Sequence, residues 1–331
     1  MKKFFFKLSN FLIPVILIEI SIFLLKDIVF KEKQLQNIFS TVGNKYYWIN
    51  KINHNKKILL LGSSSVRYGL SCSILNQLSH DSLSFINLAT DARDPIETYF
   101  ILKQINLTGV KAAYFGLDPW IYTKRYYKYR NPYLYLDMSF LSSIKYSIEH
   151  DKTTFLKRYI AFFDFVFSTR GKSNDLIREI PTDYGSFKLK GKPKNFKESV
   201  DNWFETDRYG WSQLQFIYLQ KIISFCKTKN IEFIPFLPPK RSDFTDIYKL
   251  KCKSIHKEFT DNLIKTNFTL NIFGKFNQLD KLGNYNLFVE AYHLNPLGQS
   301  VYSVIFYKMI LPKKDVFNNQ LLWSDMTYKK Q

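Results

Sequence analysis

The sequence predicts an α/β protein with a mostly parallel, five-stranded, doubly wound sheet. Three observations lead there. Five short apolar runs have strand length: 58–61, 84–88 (SFINL), 111–117 (KAAYFGL), 231–237 (IEFIPFL) and 268–273 (FTLNIF). Stretches of helical apolar spacing lie between or after them, at 67–78, from Pro95 to 105, 214–226, 246–264 and from Pro296 onward. Prolines close the runs, as at Pro119 and at Pro238-Pro239, where a strand cannot continue. Strands that alternate with helices imply a parallel sheet covered on both faces. Neither GxGxxG nor GxxxxGK[ST] occurs, so the nucleotide-binding forms of such a sheet find no support.

The first strand runs into LLLGSSSVRYGL (59–70), a strand that breaks at Gly62 and turns into a helix. Ligands of open α/β sheets bind at that edge. A serine there sits over free helix N–H groups that can hold an oxyanion. Ser63, Ser64 and Ser65 are also good helix caps, and the two roles can coexist on neighbouring serines. The counterpart lies far downstream in LFVEAYHLNPLGQSVY (287–302). Glu290 and His293 stand three residues apart, so acid and base can point the same way on one turn. A histidine can take a serine proton while a carboxylate on its other nitrogen fixes the tautomer. His54, His80, His150 and His256 have no comparable setting.

Residues 11–25 read FLIPVILIEISIFLL, with Lys2, Lys3 and Lys7 before them and Lys26 after. The run holds twelve Phe, Leu, Ile or Val. Each contributes roughly −0.3 to −0.6 kcal/mol to insertion, against about 2.5–3.5 kcal/mol for a charge such as Glu19. Insertion is favoured, and no small-residue cleavage site follows, so the expectation is an uncleaved, single-pass signal anchor. The short basic N-terminal flank places the N-terminus in the cytoplasm and the C-terminal domain outside. A helix buried or lying at the interface is the alternative.

The expected organisation is an anchor at 1–33, a tether at 34–57, the first half of the α/β domain at 58–120, an aromatic and basic insertion at 121–211, and the second half at 212–331. The net charge is +20, and six Lys with three acids in residues 1–33 leave +17 for the rest. Such a balance suits an anionic surface or polymer, though Lys, Asn, Ile and Phe are heavy throughout. No nucleic-acid motif accompanies it, so no specific nucleic acid is expected. The insertion opens with YTKRYYKYRNPYLYLD, whose rings and cations could bind a glycan, or equally line a membrane interface or a small core. Cys72, Cys226 and Cys252 are odd in number and lack metal-ligand spacing, which argues against a disulfide framework and a zinc site.

Gly62-Ser63-Ser64 after an apolar strand resembles the first block of the SGNH (GDSL-type) hydrolases. Glu290-Ala-Tyr-His293-Leu-Asn295-Pro-Leu-Gly298 resembles their last block, Asp-x-x-His followed by Asn and Gly. The likeness is greatest to the membrane-anchored, polysaccharide O-acetylation members (DltD-like and alginate-acetylation-like), and it covers residues 55–120 and 210–310. It implies a flavodoxin-like three-layer α/β/α fold. Ser64 would be the nucleophile, His293 the base and Glu290 the orienting acid, with Asp91 or Asp94 as the substitute acid should Glu290 point away. Gly62, Ser63, Thr90, Arg93, Asp118 and Asn295 would be the oxyanion or substrate candidates. The middle blocks depart: no glycine stands in 87–90, and Asp118 occupies the place of an oxyanion-donating asparagine. An ionised aspartate accepts hydrogen bonds and would repel an oxyanion. The resemblance implies an acyltransferase or esterase of a surface polysaccharide or envelope glycan, needing no cofactor or metal and partnered by a membrane-embedded acyl-donor protein. The competing expectation is a non-catalytic, glycan-binding envelope protein that keeps the fold.

Overall fold

The computed structural model describes residues 12–24, 51–91, 94–123, 139–149, 183–186, 188–191, 210–244, 253–265 and 285–310, with isolated positions among 3–10, at 49 and between 156 and 163. The chain divides into two compact units. Unit 1 comprises Met1–Tyr46 and Arg130–Arg178, and unit 2 comprises Tyr47–Tyr129 and Glu179–Gln331.

Unit 2 is an α/β fold around a four-stranded parallel sheet. Its strands are β1 (Lys57–Leu61), β2 (Ser84–Asn87), β3 (Val110–Gly116) and β4 (Glu232–Phe236), in the order β2-β1-β3-β4. All pairings are parallel, with Leu59 opposite Ile86 on one side and Ala113 on the other. The fifth expected strand, 268–273, lies outside the described residues, among which the sheet has four strands. β1 is buried along its whole length, as expected of a strand covered on both faces. Ile58, Leu60, Ala112, Tyr114, Ile234 and Phe236 join one core that also holds Leu75, Tyr302 and Phe306. Those last three come from α2 (Cys72–Leu78) and α7 (Pro296–Ile310), which pack on each other. Leu59, Leu61, Ala113 and Phe115 alternate with them and are also buried. The other packed helix pair is α3 (Pro95–Gln104) with α5 (Gln213–Thr228).

The expected helix over 67–78 is two helices. α1 (Ser64–Arg67) stops, and Ser71 starts α2 by accepting from Ile74 N–H at 3.4 Å. Gly69 sits between them, where a Cβ would lie 2.2 Å from the Ser65 carbonyl oxygen. Residues 183–186 flank β2: Asp183 accepts from Ser73 N–H at 2.7 Å, and the Tyr184 carbonyl accepts from Asn87 N–H at 2.9 Å. In unit 1, residues 12–24 are helical, and α4 spans Phe140–Glu149. No helix among the described residues is long and apolar enough to cross a membrane. The rest of the expected 1–33 anchor, most of the tether and most of the insertion lie outside the described residues. α6 is Lys253–Lys265.

The sheet narrows where β1 and β3 end. A Cβ on Gly116 would approach Val66 Cγ2 to 2.1 Å, and valine is too stiff to turn aside. Gly116→Ala is therefore expected to destabilise unit 2 by about 1–3 kcal/mol through overpacking. It should lower the thermal midpoint followed by circular dichroism. Adding Val66→Ala should recover part of the loss, a non-additivity that distant sites would not show.

Candidate active site

β1 lies between β2 and β3, so the chain leaves β1 to one side and returns to the other. That switch point opens a crevice at the carboxyl ends of the strands, and the candidate residues collect there. Gly62 takes a φ of +135°, and a Cβ on it would stand 2.9 Å from Val66 Cγ2 and 3.0 Å from the Gly116 carbonyl oxygen. Only glycine accommodates both the turn and the approach. Ser63 is the N-cap: its Oγ accepts from Ser65 N–H at 3.3 Å and donates to Asp118 Oδ2. Ser64 is the first helical residue, so its own N–H has no acceptor within the helix.

His293 Nε2 stands 2.8 Å from Ser64 Oγ, and His293 Nδ1 stands 3.1 Å from Glu290 Oε2. A carboxylate only accepts, so Glu290 holds the imidazole proton on Nδ1 and leaves Nε2 to accept from the Ser64 hydroxyl. The pair is not on a helical turn, as its spacing suggested. β5 (Phe288–Glu290) and β6 (His293–Leu294) form a tight antiparallel hairpin that pairs Glu290 with His293. Arg241 N–H donates to the Ala291 carbonyl at 3.0 Å, tying the segment after β4 to the hairpin's turn. The imidazole meets Tyr68 and Tyr292 edge-on, at centroid distances of 5.0 and 4.3 Å. Tyr292 continues into a small aromatic cluster with Trp120 and Phe244.

Among the remaining candidates, Asn295 is a helix cap. Its Oδ1 accepts from Gly298 N–H at 2.9 Å, and its amide donates to the Asn286 carbonyl at 2.6 Å. Gly298 is required because a Cβ would lie 2.1 Å from the Leu287 carbonyl oxygen. The Asn-x-x-Gly ending thus has a structural cause. Thr90 is buried beside the turn, with its N–H given to the Gly62 carbonyl at 3.3 Å, so only its hydroxyl could serve an oxyanion. Arg93 lies outside the described residues. Neither substitute acid takes the place of Glu290 at His293. Asp91 pairs with Arg67 at 2.8 Å and accepts from Tyr68 Oη at 3.2 Å. Asp94 caps α3 through Glu97 N–H at 2.8 Å and accepts from Gln215 at 2.9 Å. Burial, and then the Asp91 charge, push the Tyr68 phenol up to about 12, so it stays a neutral hydrogen-bond donor.

Asp118 is 1% exposed, and the sequence missed its partner. Lys240 Nζ lies 2.8 Å from Asp118 Oδ1, donates to Ser65 Oγ at 2.6 Å, and rests 4.4 Å from the centre of the Trp120 ring. Burial pulls the Lys240 ammonium below its ordinary value, and the Asp118 charge opposes that shift. The expected repulsion between Asp118 and an oxyanion is therefore offset locally. The available signal was position: Lys240 follows Pro238-Pro239 directly beyond a strand's carboxyl end. No group of His, Cys, Asp and Glu among the described residues could hold a metal ion.

Lys240→Met would leave a buried carboxylate uncompensated, which costs about 3–5 kcal/mol. Denaturant unfolding should show that loss, and Asp118→Asn in the same chain should restore most of it. No protein-family profile, curated protein or solved structure matches the chain.

Proposed function

We propose that the chain is an extracytoplasmic serine acyltransferase or esterase that adds or removes an acyl group on a surface polysaccharide or envelope glycan. One observation carries this reading: Ser64, His293 and Glu290 form a hydrogen-bonded relay at 2.8 and 3.1 Å on the ligand edge of a parallel sheet. The resemblance to the SGNH hydrolases, a flavodoxin-like arrangement and a single-pass N-terminal anchor belong to the same reading.

In the first half-reaction, Ser64 Oγ attacks the acyl carbonyl carbon while its proton passes to His293 Nε2. Glu290 steadies the imidazolium through Nδ1. The tetrahedral intermediate collapses, and the departing alcohol takes the proton from Nε2, leaving acyl-Ser64. An acceptor hydroxyl from a sugar, or a water molecule, then gives its proton to Nε2 and attacks the ester. Collapse returns that proton to Ser64 Oγ. The Ser64 N–H supplies one oxyanion donor, and the Lys240 ammonium, bound to the adjacent Ser65, supplies positive charge nearby. A glycan is the partner this reading names, and the resemblance adds a membrane-embedded acyl-donor protein for the transferase branch.

The second reading, a non-catalytic glycan-binding protein, is favoured by Asp118 standing where an amide donor would serve. A fluorophosphonate probe separates the two. Wild-type chain should label at Ser64. Ser64→Ala should abolish labelling, His293→Ala should slow it by about 10²–10⁴, and Glu290→Gln should slow it less. Intact wild-type protein that fails to label supports the non-catalytic reading.

A further inference from the structure

Unit 1 is inside out by the rules that govern unit 2. Of the fourteen large hydrophobic side chains exposed among the described residues, twelve lie in unit 1; the other two are Ile217 and Leu297. Along residues 12–24 the helix buries Ile22, at 1% exposure, and partly buries Val15, Ile18 and Glu19. Ile16, Leu17, Ile20, Phe23 and Leu24 face outward at 48% to 70% exposure. At 3.6 residues per turn, the outward set covers an arc of about 120°.

The second helix shows the same inversion. In α4, Ser143 and Ser147 are buried at 0% and 9%, while Leu141 and Ile148 are exposed at 75% and 78%. The serines lie on the face opposite the two apolar residues. In water the order would be reversed. Small residues turned inward and large apolar ones turned outward are how helices pack within lipid. Leu156, Ile160 and Phe163, also helical, extend the outward set at 60%, 50% and 42%. Glu19, the one charge in the apolar run, is turned from the outward arc and accepts from Tyr159 Oη at 3.0 Å. Phe140 and residues of the 12–24 helix line one apolar groove. The two segments of unit 1 carry fifteen Lys and Arg against eight Asp and Glu.

We infer that the membrane contact of this chain is a helical body shared by residues 12–24, the helix 140–149 and the helical positions 156, 160 and 163, whose outward face is occupied by the acyl chains of an anionic bilayer. The inference rests on the membrane part of the proposed function and is independent of the catalytic part. It changes the reading of the insertion: this stretch meets lipid instead of extending a glycan surface. Charge selects the occupant, since the excess of cations suits anionic headgroups beside buried acyl chains. Three separate apolar stretches suit a continuous solvent better than a single groove-seated partner.

The test uses the full chain in vesicles of phosphatidylcholine and phosphatidylglycerol, with Cys252→Ser as the background. Cys72 and Cys226 are buried. An environment-sensitive fluorophore is placed at Ile16→Cys, Ile148→Cys or Leu297→Cys, each an exposed position whose change leaves packing intact. Brominated acyl chains should quench the Ile16 and Ile148 reporters with blue-shifted emission, and leave the Leu297 reporter unquenched. Quenching at Ile16 without quenching at Ile148 overturns the inference and leaves a simple anchor. No quenching at either overturns the membrane reading as well. An Ile148 reporter shielded from a water-soluble quencher yet untouched by bromolipid assigns the face to a protein partner, and also overturns it.

Discussion

Asp118 is a carboxylate almost wholly removed from water at the end of the central strand β3, and such a charge is sustained only by close partners. Those partners come from two other strands. Ser63, from the turn after β1, donates to one oxygen, and Lys240, from the segment after β4, sits against the other. Lys240 in turn holds Ser65. Asp118 thus fixes the residues on both sides of Ser64 in sequence while leaving Ser64 itself to His293. The Gly62–Gly116 approach makes this geometry reachable, because a Cβ on Gly62 would meet the Gly116 carbonyl and Val66, and a Cβ on Gly116 would meet Val66.

The serine, histidine and glutamate could be read from sequence because each stands at a recognisable break in hydrophobic pattern: Gly62 ending an apolar strand, and Glu290 to His293 preceding a terminal amphipathic helix. What joins them could not. Lys240 is one of forty-eight basic residues, and nothing local distinguishes a buried cation from a solvated one. Its role arises from burial and from Asp118, more than one hundred residues away. The hairpin geometry of Glu290 and His293 was equally hidden, since a three-residue spacing suits a helical turn and a tight β-turn alike. Asn295 was assigned to the site by resemblance and Gly298 belonged to the same block, whereas the cap and the Leu287 carbonyl account for both. The break of the 67–78 helix at Gly69 followed a signal that was present but weak, because an isolated glycine is tolerated in many helices.

The histidine is constrained from more sides than a two-bond relay requires. Tyr68 and Tyr292 meet the imidazole edge-on, and Arg241 pins the turn that separates Glu290 from His293. Tyr68 is itself held by Asp91, which Arg67 of the same short helix as Ser64 also engages. Nucleophile and base are therefore braced against each other through Tyr68 and Asp91 as well as through their direct contact. A relay built this way loses little entropy when an acyl group arrives, which is the advantage of a preorganised site over a flexible one.

The two units obey one physical rule with opposite results. In unit 2 the apolar faces of α2, α5 and α7 turn inward, and strand residues are buried on both sides of the sheet, as water demands. In unit 1 the helix 12–24 and α4 leave Ile16, Leu17, Ile20, Phe23, Leu24, Leu141 and Ile148 exposed, while Ser143 and Ser147 are buried and Glu19 is half-buried. A sequence scan for apolar runs singles out only the first of these helices for the membrane, because α4 breaks its apolar residues with Ser142, Ser143 and Ser147. Hydropathy averages those serines against their neighbours and sees an ordinary surface helix. Only the direction each side chain faces separates a helix made for water from one made for lipid, and direction is a property of packing. The segment of α4 consequently reads as part of a polar, aromatic insertion in sequence and turns Leu141 and Ile148 outward in three dimensions.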